Sequence, residues 1–379
     1  MIVVLRIIDR FEIKGRGTVY IVKNLNDCEL RVGDTFFDLL GNHFKLKGIE
    51  MFRRIPTDNA VDEYPLGIML EKVNGKSVQG NLLLQNHGKI NFLFCSNPLD
   101  KRLVDDDYAN EYNAVKDIFP CALFSYDAFL SGKLSLTKEN ISGLTIYRGW
   151  MMKPDTYRKF YDALEKHGII LINSPEEYEK YHLLPNWYND FKNETIESIW
   201  SNDCNIDTIM QLAKDLNGSY VIKDYVKSRK HEWYDACFIK NINDKNSVAK
   251  ILNTFIERQG SDLVGGIVIR KFENLKPIGY HPQSGMPLSE EYRAFVYAGQ
   301  IIAFDKYWEQ EINISLSDSE HQWIKSIAGK LKSNFVTVDF ARKESGELVI
   351  MEFGDGQVSG LQNISPENFY SSFFRVNQP

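Results

Sequence analysis

The rhythm of apolar residues changes once, near residue 90, and that change limits the chain to two kinds of architecture joined in series. Before it, short alternating runs (Phe11-Glu12-Ile13, Thr18–Val22, Phe44–Leu46, Leu66–Leu70) are broken by Gly, Asn and Asp at close spacing. Runs that short, each closed by a turn former, pair as strands of a small barrel or sandwich. The polar segment Thr57–Tyr64 reads as a loop, and Asn86-His87-Gly88 as a boundary. After it, apolar runs at Ile90–Cys95, Cys121–Ser125, Leu144–Tyr147 and Ile169–Ile172 read as buried strands. Between two of them Tyr157, Phe160, Tyr161 and Leu164 recur at helical spacing, with Pro154 near the start and Gly168 just past the end. Strands alternating with helices predict a mostly parallel α/β layer.

Composition turns polar at Asn193–Asp203, a second boundary. Beyond it the pattern is mixed: helices over Ile206–Leu216 and Ser247–Arg258, strands over Tyr220–Lys223 and Gly266–Phe272, and two β-hairpins. One hairpin runs Glu291–Asp305 and turns at Ala298-Gly299; the other runs Val336–Phe353 and turns at Ser345-Gly346. The expected class is α+β and α/β, in three domains at 1–88, 89–200 and 201–379, a number that suits 379 residues. No apolar run reaches the roughly 18–20 residues of a membrane-spanning helix. The opening MIVVLRIIDRFEIKG lacks the features of a signal peptide. Five scattered cysteines suit reduced thiols, so a cytoplasmic protein without membrane contact is expected. A net charge of −6 weighs against broad nucleic-acid binding.

The second hairpin carries the strongest chemical signal. With the loop centred on Ser345-Gly346, Asp339 faces Glu352, while Phe340 faces Met351 and Val338 faces Phe353 on the apolar side. Directly opposed carboxylates repel, their Cβ atoms about 4.5–5.5 Å apart. A magnesium ion between them removes the repulsion; a different register, with one acid in solvent, removes it too. Asp355, in Gly354-Asp355-Gly356-Gln357, reads as a third acid on a flexible turn close enough to join the same ion.

Basic residues are set for phosphates. Tyr220-Val221-Ile222-Lys223 is a strand ending in lysine, and the loop 224–233 that follows carries Lys227, Arg229 and Lys230. A mobile basic loop beside a fixed lysine holds a polyphosphate; a solvated surface turn has the same composition. Arg293 lies opposite Tyr292, Ala294 and Val296 on its strand, and Glu291 pairs with Lys306 across the turn. There is no phosphate-binding G-x-x-x-x-G-K-[ST], no dinucleotide glycine motif, no H-E-x-x-H and no G-x-S-x-G.

This order of strand-lysine, basic loop, hairpin with arginine and hairpin with Asp and Glu resembles the ATP-grasp ligases over about residues 90–375. Within them, Ile146–Trp150, Tyr181–Tyr188 and Val221–Ser228 resemble the phage and bacterial clade marked by two arginines and a lysine. The resemblance implies a pre-ATP-grasp α/β domain followed by an ATP-grasp fold, with ATP and magnesium as cofactors. It implies Lys223 on the nucleotide phosphates, with Lys227 and Lys230 beside it. It implies Ile269, Arg270, Lys271 and Phe272 as the hinge whose backbone meets adenine. Arg293 would steady the transferring phosphate, Arg148 would face the acceptor, and Asp339 and Glu352 would hold magnesium. The usual ending of the family is Glu-x-Asn; here Gly354 follows Phe353, and Asp355 stands in for the asparagine.

Over nearly all of 1–85, the segments Phe11–Val19, Gly48–Arg54, Leu66–Leu70 and Gly80–Leu83 resemble the second domain of elongation factor Tu, a small β-barrel. Ile13, Glu50 and Arg53 match positions of its terminal-adenosine pocket, and Pro65 replaces an asparagine there. The implied partners are a tRNA end or a translation factor. Gly15 and Gly17 also read simply as turn glycines of a barrel.

The function expected from all this is an ATP-dependent carboxylate–amine ligase. It works through an acylphosphate, takes ATP to ADP and phosphate, and acts on a peptide, protein or amino acid. The alternatives are a translation-associated interaction protein with a regulatory or vestigial ATP site, and a kinase on the ATP-grasp fold.

Overall fold

Six strands close into a barrel: β1 (Val4–Ile13), β2 (Gly17–Asn24), β3 (Thr35–Asp38), β4 (His43–Met51), β5 (Leu66–Lys72) and β6 (Leu82–Leu84), in the order β1-β2-β5-β4-β3-β6. The computed structural model describes residues 4–25, 29–51, 66–85, 90–137, 141–281, 285–308 and 316–376. Closure removes the sheet edges that would otherwise need cover. Inward-facing Leu5, Ile7, Val22, Phe36, Phe44 and Ile68 fill the barrel. The barrel expected from the sequence is therefore what forms. The expected loop at 57–64, the boundary at 86–88, and Cys28, Arg53 and Pro65 lie outside the described residues.

The α/β layer follows. It holds β7 (Asn91–Cys95), β8 (Cys121–Phe124), β9 (Leu136–Thr137), β10 (Gly143–Arg148) and β11 (Ile169–Leu171), in the order β11-β10-β7-β8-β9. All its pairings are parallel except β8 with β9. The helix Pro154–Glu165 buries Tyr157, Phe160, Tyr161 and Leu164, as their spacing predicts. Gly168 then adopts φ +72°, a conformation that favours glycine.

The last part holds two four-stranded sheets and a ribbon. The first sheet is β12 (Ser198–Trp200), β13 (Tyr220–Asp224), β14 (Phe238–Ile239) and β15 (Ile267–Lys271), ordered β12-β15-β13-β14. The ribbon pairs β16 (Pro277–Tyr280) with β17 (Pro287–Ser289). The second sheet is β18 (Glu291–Tyr297), β19 (Gln300–Lys306), β20 (Phe335–Arg342) and β21 (Leu348–Asp355), ordered β19-β18-β20-β21. The polar segment at 193–203 is not a simple linker. Ile350 N–H donates to Glu194 O (2.8 Å) and β12 pairs with β15, so the chain joins the last part from about residue 194. The helix expected over Ile206–Leu216 ends at Leu212. A tight turn in which Leu216 N–H meets Ala213 O (3.1 Å) takes over before Asn217-Gly218.

Both hairpins form, and each contains a one-residue bulge. In the first, Ala298 (φ +49°) and Gly299 (φ +79°) make the turn with both central residues left-handed, which matches the strand twist. The ladder slips between Phe295 and Val296, so Lys306 faces Tyr292 and the expected Glu291–Lys306 pair does not form. In the second, Asp339 faces Glu352 and Val338 faces Phe353 as expected. A bulge then pairs Phe340 with Ile350, leaving Met351 as the extra residue.

The three parts share one core. Barrel residues Val4, Leu39, Leu82 and Leu84 pack in a cluster with Phe92, Phe94, Phe295, Phe335 and Phe369. Buried Arg6 donates to Leu171 O (2.8 Å) and pairs with Glu177. Asn334 Nδ2 donates to Ile172 O (3.0 Å) and Glu177 Oε1 (3.1 Å), and its Oδ1 accepts from Asn81 N–H (2.6 Å). Among the described residues, no helix is long and apolar enough to cross a membrane.

Candidate functional site

A cleft of about 440 Å³ opens between the β12–β15 sheet and the β18–β21 sheet, with the ribbon along one side. No described barrel residue lines it. Strand alternation decides what it contains. On β13, Val221 and Lys223 face the cleft, while Ile222 joins the core beneath. On β18, Glu291 and Arg293 face it, and Ala294 and Val296 pack behind. The cross-strand pair Asp339 and Glu352 meets them from β20 and β21.

Each acid of that pair is held by a cation. Lys223 Nζ donates to Glu352 Oε1 at 2.6 Å. Arg293 grips Asp339 with Nε (2.8 Å) and Nη2 (2.7 Å), and donates from Nη1 to Gly360 O (2.9 Å). Its guanidinium also lies over the Tyr307 ring, 4.8 Å from the centroid. Burial alone would raise the Glu352 carboxyl; Lys223 and Lys230 outweigh it and hold the group below its ordinary value. Burial would lower the Lys230 amine, but Glu291 and Tyr307 raise it, so it stays charged inside the cleft. Lys227 lines the cleft as well.

The loop 224–233 is anchored, contrary to the expected mobile flap. Asp224 accepts from Val226 N–H (2.7 Å) and Lys227 N–H (2.6 Å) through Oδ1, and from Gln259 (3.0 Å) and Val264 (3.1 Å) through Oδ2. Arg229 turns away to Glu232 (2.6 Å). Of the residues expected to form a hinge, Arg270, Lys271 and Phe272 line the cleft, whereas the Ile269 side chain packs in the core below.

Two expected site residues lie elsewhere. Arg148 is fully buried outside the cleft. It donates to both oxygens of Glu111 (2.8 and 2.9 Å), to Gly356 O (2.5 Å) and to Ser359 O (2.9 Å). It therefore braces the loop after β21 rather than facing an acceptor. Asp355 extends β21 opposite Val336 instead of sitting on a flexible turn. It lies three positions beyond Glu352, and an odd offset on a strand points it to the other face. There it accepts from Asn173 Nδ2 (2.6 Å) and Gln357 N–H (2.9 Å), and it does not join Asp339 and Glu352.

Asp355 carries a pH prediction. Burial raises its carboxyl to about 6, against the hydrogen bonds from Asn173 and Gln357. The unfolded value is lower, near 3.9. The folded state therefore holds the extra proton between roughly pH 4 and pH 6. The associated stability is complete below about pH 4 and is lost as pH rises through about 6, on the order of 2–3 kcal/mol in all. The melting temperature of the wild type is expected to fall across that window more steeply than that of Asp355→Ala. Equal slopes would show that Asp355 does not titrate there.

The sequence reading missed Glu291, Glu273 and His182, which all line the cleft. Glu291 was discoverable, since it lies two residues before Arg293 on one strand face. Burial raises its carboxyl against the pull of Lys230. His182 packs tilted against Tyr178 (4.6 Å between centroids), and burial pushes its imidazole down to about 3, so it is neutral.

The donor set fits magnesium. Among the described residues no three metal-binding side chains converge. Magnesium is commonly held by one or two carboxylates, with phosphate oxygens and water completing the shell. Asp339 and Glu352 are two carboxylates opposed in one cleft.

Residues 211–373 match a family model, the ATP-grasp domain of family 3 in the clade marked by two arginines and a lysine. No curated protein sequence matches the chain. Among solved structures, D-alanyl-alanine synthetase A from Vibrio cholerae O1 biovar eltor aligns at 12% identity and TM-score 0.48, over 76% of this chain and 98% of that one. N5-carboxyaminoimidazole synthase from Aspergillus clavatus aligns at 7% identity and TM-score 0.48, over 77% and 78%. The ATP-grasp ligase PsnB, bound to a precursor peptide and AMPPNP, aligns at 11% identity and TM-score 0.45, over 76% and 97%. The family match spans β13 to β21 and so includes Lys223, Arg293, Asp339 and Glu352. Residues 211–373 thus match the model of an ATP-grasp domain of that clade, and they follow a closed β-barrel and a mostly parallel α/β layer.

Proposed function

We propose that the protein is an ATP-dependent carboxylate–amine ligase acting on a peptide, protein or amino-acid substrate. One observation carries the reading: a single cleft brings Lys223, Lys227, Lys230 and Arg293 together with the opposed acids Asp339 and Glu352. A carboxylate oxygen of the substrate attacks the γ-phosphorus of ATP, and ADP leaves. An amine then attacks the acyl carbon, phosphate leaves, and the amine gives up a proton. Asp339 and Glu352 would hold magnesium, which offsets phosphate charge. Lys223, Lys230 and Arg293 orient the polyphosphate and stabilise charge developing on the transferred group. The barrel stands apart from this chemistry. Glu50 on β4 accepts from Arg16 (3.0 Å), and contact with a tRNA end or translation factor through Ile13 and Glu50 belongs to a separate surface. A cytoplasmic location fits the four described cysteines, all free thiols.

The test is ATP consumption with magnesium and a fractionated extract of small molecules and peptides. ADP and phosphate released only with extract, together with a ligated product, are expected. AMP and pyrophosphate would replace the acylphosphate route by adenylation, and a phosphorylated product would make the protein a kinase.

A further inference from the structure

Arg270 stands on the cleft face of β15 with no opposite charge engaging it. The residue is only 7% exposed and lines the cleft. Its bonds run from Nη2 to two neutral oxygens, Thr195 Oγ1 (3.1 Å) and Ile350 O (3.3 Å). Its Nε is buried without an acceptor. Among the described residues it forms no ion pair, and Glu352, the carboxylate whose field it feels, is already engaged by Lys223 at 2.6 Å. Burial outweighs that field and lowers the guanidinium to about 10.

A buried arginine is ordinarily paired, and an uncompensated one destabilises the fold. Such groups persist where a ligand completes them. The register indicates which ligand. Val221 pairs with Arg270 and Lys223 with Val268, so Arg270 and Lys223 share one face of the sheet. Two cations then share the single carboxylate of Glu352, and positive charge is left over on the wall of the cleft. The planar guanidinium fork matches the oxygens of a phosphate.

We infer that the Arg270 guanidinium is an oxyanion site of the cleft and takes the polyphosphate of the bound nucleotide, an inference that rests on the nucleotide-binding reading above. Its role is then carried by the side chain, not by the backbone of the hinge alone.

The experiment is calorimetric titration of wild type and Arg270→Met with adenosine, ADP and AMPPNP, each with magnesium, alongside melting temperatures. Methionine keeps much of the volume and removes the charge. The variant is expected to melt at or above the wild type and to bind ADP and AMPPNP at least tenfold more weakly, with adenosine unchanged. Arg270→Lys, which restores a cation without the fork, is expected to fall between and covers the case in which Arg270→Met does not fold. A variant that melts several degrees lower yet binds nucleotides within twofold of wild type would make Arg270 a structural strut and overturn the inference. An equal loss for adenosine would place the contact on the base and overturn it too. Failure of the wild type to bind any nucleotide would instead overturn the ligase reading itself.

Discussion

Replacing Glu352 with glutamine is expected to cut magnesium-dependent ATP turnover by about 10²–10³-fold, the scale of losing several kcal/mol of transition-state stabilisation. The amide keeps the shape and one oxygen but loses the charge that faces both Asp339 and the cations of the cleft. Stability is expected to change far less. The Glu352 side chain is 36% exposed, so solvent partly screens its ion pair with the more buried Lys223. Activity and melting temperature measured on the same preparation separate the two effects. Unchanged turnover and unchanged magnesium dependence would remove Glu352 from the metal site and the ligase reading with it.

Arg148→Met is expected to do the reverse. The guanidinium is fully buried against Glu111, and Tyr370 OH donates to the same carboxylate (2.6 Å). Removing the cation leaves the Glu111 charge buried without a cationic partner, a loss of about 3–5 kcal/mol. For a chain of this size that corresponds to a fall in melting temperature of roughly 10 °C. Arg148→Met combined with Glu111→Leu is expected to recover much of it, since the stranded charge then disappears as well. An intact melting temperature with lost activity would return Arg148 to the acceptor side of the reaction.

Much of this site follows from strand parity. Alternation alone puts Arg293 opposite Ala294 and Val296, and Asp339 opposite Glu352, and the structure agrees on both. The bulges were invisible for a physical reason. Ile301, Ile302 and Ala303 are all apolar, as are Ile350 and Met351, so a one-residue slip leaves the apolar pattern unchanged. That slip is what freed Glu291 from Lys306; its place in the cleft follows from sharing a strand face with Arg293. Arg148 was misread because its partner Glu111 lies 37 residues earlier, on a helix whose pairing no local pattern reveals. Asp355 was misread because glycines on both sides suggested a turn, when the strand runs on through it.

The turn at Ala298-Gly299 ends β18 against the barrel, while Glu291 and Arg293 sit at the other end of the same strand in the cleft. At the barrel end the fit leaves no spare room. A Cβ on Gly80 (φ +72°) would come within 2.9 Å of Asn334 Oδ1, 3.0 Å of Leu39 and 3.2 Å of the Ala298 Cβ. The barrel is thus not an interchangeable cartridge. A chimaera carrying a foreign barrel on residues 90–379 would have to supply its own glycine at that contact and its own arginine for Glu177. For protein engineering, the barrel and residues 90–379 are one part to be exchanged together.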